Sequence, residues 1–305
     1  MSFLIMWFSG FMFLSPIISI SATNWLFFWV GMEMGVLSLL PIIYNHGTLL
    51  VSESSMKYFL VQSVASILMF FGGVMIFMLL TFGWLSESFM FISLLLKMGL
   101  FPLHFWVIPV LSGLWYPQIG LILIPLKVPP LALINYISFN DMIMIIFYLA
   151  AVFSMWGGGL LGNNLSNIRG MISASSIAHT GWLIISIYVG KMWCYYLVYS
   201  FVLILTLSFI WINNYLMSGL LVLSLSGLPP FIMFSMKYLV VWGLVMDGFS
   251  VLSLLVVVLS AVVSLNFYLK SSYSFMLNKK KGGLNVGVMF MTMNLIGGLI
   301  LLMYI

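Results

Sequence analysis

The chain has 305 residues, of which 64% are hydrophobic and 5% charged, and it carries a net charge of +5. A soluble globular domain has about 25% charged residues, so charge this scarce cannot cover a surface facing water. A soluble enzyme, a nucleic-acid-binding module and a disordered regulator are excluded, and lipid is the solvent for most of the surface.

The first twenty residues, MSFLIMWFSGFMFLSPIISI, are apolar from the third onward and lack a basic leading region, so they predict a first membrane span and no removable targeting segment. A bilayer core needs about 20 apolar residues per helix. About eleven such segments follow one another, at approximately 3–20, 24–43, 57–80, 88–112, 119–138, 143–161, 169–189, 193–213, 218–242, 250–270 and 287–304. The links are short and rich in Ser, Asn and Gly, which predicts a single polytopic all-α membrane domain over residues 1–305. The runs are continuous and do not alternate, which argues against a membrane β-barrel.

Charges in the links are asymmetric. Counting the N-terminal side as zero, the even links hold Glu53, Lys57, Arg169, Lys270, Lys279, Lys280 and Lys281, whereas the odd links hold Glu87, Asp141, Lys191 and Asp247. The positive-inside rule then puts the N-terminus on the cytoplasm-equivalent side and, with an odd number of spans, the C-terminus opposite. The run Lys279–Lys281 is either a lipid-headgroup site or a plain topology anchor. Glu53 and Lys57 have the i,i+4 spacing of an ordinary helix pair.

Four charges fall inside spans: Glu33 in the second, Lys97 in the fourth, Lys127 near the centre of the fifth and Lys237 in the ninth. Each costs roughly 2.5–3.5 kcal/mol at a helix centre on insertion scales. Lys237 is the nearest to a span end and the best placed to snorkel; a structural ion pair is an alternative for Glu33 and Lys97. Helix breakers accompany all three lysines. The fourth span reads LLLKMGLFPLHFW, the fifth LIPLKVPPLAL and the ninth LSLSGLPPFIMFSMK. Proline removes a backbone donor and frees a carbonyl, and in lipid such a break survives only where protein or water satisfies the freed groups. The fourth and ninth spans are five apart, which predicts two inverted five-helix repeats, about 3–138 and 143–270, followed by one extra C-terminal helix.

If all four interior groups were ionised, one acid would face three lysines in low dielectric. Burial disfavours the charged form of an amine, so a lysine without an acid beside it can exist in either form and carry protons. A row of such groups bridged by water is a proton relay. Candidates for ordering that water are Ser38, Ser63, Ser66, His104, Ser173, Ser175, Ser176, His179 and Thr180. His179 is the best of them, because a neutral imidazole accepts on one nitrogen and donates from the other; for a single Ser or Thr, helix–helix hydrogen bonding is the simpler role. Trp25 and Tyr44, near span ends, suit interfacial belts. The single cysteine, Cys194, excludes an internal disulfide, a cysteine-ligated cluster and a structural zinc within the chain, and His46, His104 and His179 lie far apart. No phosphate-cradling loop, nucleophile elbow or dinucleotide fingerprint is present.

Several stretches resemble a known family in order along the chain. NWLFFWVGMEMGVLSLLP is similar to its W-x-G-x-E helix, and ESSMKYFLVQSVAS to its E-x-x-x-K-Y-F-x-x-Q stretch. LLLKMGLFPLHFWVIPVLSGL is similar to K-x-G-x-x-P-x-H-F-W, and IPLKVPPLALI to Q-K-x-x-P with Leu126 in place of the usual Gln. NIRGMISASSIAHTGW and LSLSGLPPFIMFSMKYLV resemble the R-x-x-x-x-x-S-S-I-x-H-x-G-W and G-L-P-P-F-x-x-F-x-x-K helices. The family is that of the antiporter-like membrane subunits of respiratory complex I, and within it the mitochondrial NADH dehydrogenase subunit 2 type. The resemblance implies the inner mitochondrial membrane with positive links and N-terminus in the matrix, and the C-terminus on the intermembrane-space side. It implies one subunit of an enzyme that oxidises NADH, reduces ubiquinone and pumps protons, with flavin and iron–sulfur clusters in other subunits and no cofactor bound by this chain. Glu33 paired with Lys97, Lys127 in the middle and Lys237 toward the exit would form the proton path, with His179 and His104 ordering water. Other membrane subunits and lipid, cardiolipin near Lys279, Lys280 and Lys281 included, would be the partners. Two rival readings are a stand-alone cation/proton antiporter, for which no second intramembrane acid is seen, and a structural scaffold subunit.

Overall fold

In lipid the backbone must satisfy its own polar groups, and a chain of continuous apolar runs can do so only as helices. The computed structural model describes residues 2–45, 47–78, 83–137, 139–229, 231–277 and 294, which form α-helices without a β-strand among them. Seven of the described helical segments are long and apolar enough to cross a membrane. The predicted span at 287–304, the run Lys279–Lys281 and His46 lie outside the described residues, apart from Asn294. The chain divides into two compact units, residues 1–150 and 151–305.

Unit 1 contains α1 (Ser2–Ser21), α2 (Trp25–Tyr44), α3 (Leu49–Gly73, continued by a π-helical turn Val74–Met78), α4 (Trp84–Met98), α5 (Val107–Ser112), α6 (Tyr116–Leu123), α7 (Val128–Tyr136) and the start of α8 (Asp141–Asn164). Small residues let α1 and α2 pack closely: a Cβ added at Gly31 would stand 2.8 Å from the Ser19 nitrogen. Indole and amide side chains tie further helices through backbone carbonyls. Trp29 donates to Ser66 O at 3.1 Å, and Gln118 donates to Ile42 O and Ile43 O at 3.2 Å each. Helix α3 starts eight residues before the predicted third span. Its first two turns carry a Lys57–Glu53 contact of 2.6 Å, which supports helix through a stretch too polar to read as membrane.

The predicted interruptions are present. The segment 88–112 is two helices, α4 and α5, separated at Gly99, whose φ of +68° favours glycine. The segment 119–138 is α6 and α7 joined by a 3-10 turn, Pro125–Lys127. Freed carbonyls find local donors: Trp106 donates its indole N–H to Leu96 O at 3.0 Å, next to Lys97.

Unit 2 is built around α9 (Ile168–Tyr188), which is buried on every side from Gly170 to Ser186. Its Ser, Thr and His side chains are costly against lipid, which places this helix inside the bundle. It packs with α10 (Met192–Trp211), α12 (Ile232–Met246) and α13 (Val251–Leu277), while α11 (Tyr215–Ser226) lies against α10 and α13. Here too a predicted span, 218–242, is broken: α11 ends at Gly227, with φ +79°, before α12 begins. Asn294 caps the second piece, its side-chain oxygen accepting from Ile232 N at 3.3 Å.

Large apolar side chains such as Phe27, Leu60, Leu197 and Leu259 point outward, as a lipid-facing surface requires. Tyr44 is exposed at the end of α2, but Trp25 is not a belt residue: it is buried and stacks on Phe77 with ring centroids 5.1 Å apart. Glu87, read from sequence as a link charge, is buried in the first turn of α4. It accepts from Asn140 Nδ2 at 2.7 Å and Asn140 N at 3.3 Å, holding α4 to the start of α8. Replacing it with Ala removes both bonds while the exposed Asn140 turns to water, a loss of about 1 kcal/mol. A clear fall in the melting temperature of the purified protein is the expected reading; an unchanged one would mean the contact holds nothing.

Candidate functional site

A buried ammonium needs an environment that water or dipoles can reach, and the broken helices supply it. All three intramembrane lysines are buried: Lys97 is 9% exposed, Lys127 6% and Lys237 7%. Lys237 therefore does not snorkel, contrary to its position in the sequence.

In unit 1, Lys97 ends α4 just before the Gly99 break and Lys127 closes the 3-10 turn between α6 and α7. Both open on one cavity of ≈ 30 Å³. About 10–15 Å³ of such space holds one water molecule, so the cavity has room for water beside both lysines. Tyr58, Gln62 and Ser15 add polar groups to its wall and Trp106 an aromatic face, whereas Leu126 and its neighbours keep the rest apolar. Leu126 stands where the family resemblance expects Gln, so the amide on this wall is that of Gln62.

Glu33 is half-buried on α2, and its Oε2 is buried with no hydrogen-bond partner among the described residues. It does not touch Lys97: among the described residues the only carboxylate–ammonium contact within 4.0 Å is Lys57–Glu53. Met32 and Val36 of the same helix line the cavity. His104 is buried at the α4–α5 break, its ring stacked on Phe105 at 4.5 Å and Phe101 at 5.8 Å, and its Nδ1 lacks a hydrogen-bond partner among the described residues. It does not line the cavity.

In unit 2, Lys237 Nζ donates to Ser226 O at 2.7 Å, the carbonyl that the break after α11 sets free. It also sits 5.5 Å from the centroid of the Trp182 ring, within cation–π range. Gly227 makes room for it: a Cβ there would lie 2.9 Å from Lys237 Cδ and 3.2 Å from Nζ. His179, three residues before Trp182 on the core helix, has both ring nitrogens engaged, Nδ1 with Tyr195 Oη at 3.0 Å and Nε2 with Tyr268 Oη at 3.1 Å.

The hydroxyls singled out from sequence mostly serve their own helices. Ser38, Ser63, Ser66, Ser173, Ser175, Ser176 and Thr180 each donate to the carbonyl three residues earlier. Each oxygen can still accept a further hydrogen bond. Sequence reasoning missed Tyr58 and Gln62, whose i,i+4 spacing on α3 was a usable signal, and Tyr195 and Tyr268, whose approach to His179 had none. Among the described residues no group of three or more His, Cys, Asp or Glu comes together to hold a metal ion.

Comparison with known proteins fits this arrangement. A family model described as "NADH:quinone oxidoreductase/Mrp antiporter, TM" matches residues 22–219. The chain is 36% identical over 292 residues to the NADH-ubiquinone oxidoreductase chain 2 of Albinaria caerulea, covering 94% of this chain and 95% of that one. It is 36% identical over 296 residues to the Anopheles gambiae protein of the same name, covering 87% and 84% of the two. Its fold is similar to a chain of respiratory complex I from Thermus thermophilus, with a TM-score of 0.78 at 21% identity over 94% of this chain and 77% of that one.

Proposed function

Because this chain belongs to the NADH:quinone oxidoreductase/Mrp antiporter transmembrane family, we propose that it is a proton-translocating membrane subunit of NADH:ubiquinone oxidoreductase, respiratory complex I, in which Glu33, Lys97, Lys127 and Lys237 relay protons. The observation that carries the relay is the cavity onto which both Lys97 and Lys127 open. Two titratable amines facing one water-sized space can exchange a proton through it without an ion crossing hydrocarbon. Glu33 is the acid of the same unit, on the helix whose Met32 and Val36 line that cavity, and Lys237, held on the Ser226 carbonyl, is the corresponding amine of unit 2.

Moving one charge against 100 mV costs about 2.3 kcal/mol. This chain provides no source for that work in its own chemistry, so redox steps in other subunits drive it, and NADH and ubiquinone are handled there. The protein resides in the inner mitochondrial membrane among other membrane subunits, with eleven spans, the N-terminus in the matrix and the C-terminus in the intermembrane space. The breaks at Gly99 and Gly227 support an inverted pairing of spans 1–5 with 6–10. His104 and His179 flank the path, and Lys279–Lys281 bind anionic lipid.

Glu33→Gln in the assembled complex tests the reading. It removes the charge and keeps the shape. In sealed vesicles proton uptake per complex is expected to fall at least about tenfold, with Glu33→Asp retaining part of it. Full translocation by Glu33→Gln would remove Glu33 from the path.

A further inference from the structure

We infer that Tyr195 and Tyr268 are proton-bearing members of the path, joined through His179 into a three-ring bridge at the core of unit 2. The inference rests on the relay reading and adds to it two residues that nothing in the motifs marked.

All three side chains are buried, His179 at 2%, Tyr195 at 0% and Tyr268 at 1% exposure. They come from three helices, α9, α10 and α13. Both imidazole nitrogens are occupied by phenol oxygens at 3.0 and 3.1 Å. A neutral imidazole has one N–H and one lone pair, so one phenol must donate to the ring and the other accept from it. The heavy-atom arrangement is the same for either tautomer, which is what a proton bridge requires and what a purely packed histidine does not. Aliphatic side chains would fill this volume without the cost of burying three polar groups.

The two ends lie among other hydroxyls. On one side Ser175 of α9 donates to Ile172 O at 2.7 Å. On the other side Tyr199 packs its ring 4.7 Å from the imidazole. Its hydroxyl is buried with no hydrogen-bond partner among the described residues, a group that a water molecule would satisfy. The Trp182 ring joins this wall to Lys237: it stacks on Tyr195 at 6.5 Å and faces Nζ at 5.5 Å.

One transfer balances as follows. Tyr195 gives its hydroxyl proton to Nδ1 while Nε2 gives its proton to Tyr268 Oη. Tyr268 releases its own hydroxyl proton to a water molecule at its end, and Tyr195 Oη takes up a proton from a hydronium ion at the other. One proton enters and one leaves; the ring changes tautomer and keeps no net charge. Rotation of the two phenol O–H bonds and return of the ring proton reset the bridge.

The test uses the assembled complex in sealed vesicles, scoring protons taken up per complex and per NADH oxidised for Tyr195→Phe, Tyr268→Phe, His179→Gln and Lys127→Met. Phenylalanine keeps the ring contacts and removes only the hydroxyl. The bridge predicts that each Phe variant assembles and loses translocation at least about tenfold, as His179→Gln does. It also predicts that the proton-to-NADH ratio falls, which a merely structural hydroxyl would leave in place. Normal translocation by the Phe variants, with Lys127→Met silent, would overturn the bridge and leave the relay standing; so would normal translocation by His179→Gln. Failure of both Phe variants to assemble would make the hydroxyls structural and equally overturn it. If Lys127→Met translocates normally as well, the relay reading itself is wrong.

Discussion

Lys127→Met is expected to stop proton translocation while the complex still assembles. Lys127 sits in the 3-10 turn between α6 and α7, buried, with the cavity it shares with Lys97 at its side. Methionine has nearly the same length and fills the site with a flexible apolar chain. Replacing a buried charge by an apolar residue of similar volume is often neutral for stability or improves it, so the amount of complex should be unchanged. The proton, by contrast, loses its carrier. Removing a positioned acid–base group costs typically about 10²–10⁴-fold in rate, and coupled uptake in sealed vesicles should fall by at least about 100-fold. Blue-native gels for assembly, read beside a pH-sensitive dye for uptake, check both halves. Loss of assembly with normal uptake by the remaining complex would favour a scaffold role for this lysine.

Gly99→Ala should damage unit 1 more than any surface change. Gly99 closes α4 two residues after Lys97 with φ +68°, a conformation that costs an L-residue about 1–2 kcal/mol. The added Cβ would also stand 2.4 Å from Val107 Cγ2, and overpacking of this kind costs about 1–3 kcal/mol. Together the two terms reach about 2–5 kcal/mol, enough to lower the yield of assembled complex several-fold. The terms separate experimentally. Adding Val107→Ala to Gly99→Ala gives the Cβ space, so it should recover part of the loss in thermal stability and leave the backbone part. Full stability of the single variant would show that neither the turn nor the contact constrains the break.

Lys97 and Lys237 lie at similar local devices. In each, a helix ends on a left-handed glycine, and a carbonyl of its last turn accepts from a side chain: Leu96 O from Trp106 in unit 1, Ser226 O from Lys237 in unit 2. A proline or glycine break in lipid is costly until such a donor arrives. That explains why the breaks, the lysines and the aromatic residues occur together, and it makes the interruption part of the site.

Much of this was legible before any coordinates. Apolar runs too long for a soluble core, with charge this scarce, leave helices in lipid as the only solution. The prolines and glycines around Lys97, Lys127 and Lys237 marked the breaks because backbone chemistry is local. Charges that are expensive in hydrocarbon marked Glu33 and the three lysines, since an unneeded one carries a cost at every insertion. Side-chain partnership was not legible, because it depends on which helices meet. Tyr195 and Tyr268 lie 16 and 89 residues from His179 and became its partners only through the packing of α10 and α13 against α9. The same is true of Lys237, which looked free to reach the interface until the end of α11 was seen to hold it. It is true also of Glu33, which makes no ion-pair contact with Lys97. Hydropathy and breakers act along the chain and can be read along it; hydrogen bonds between helices are formed across it, and only the packed structure decides them.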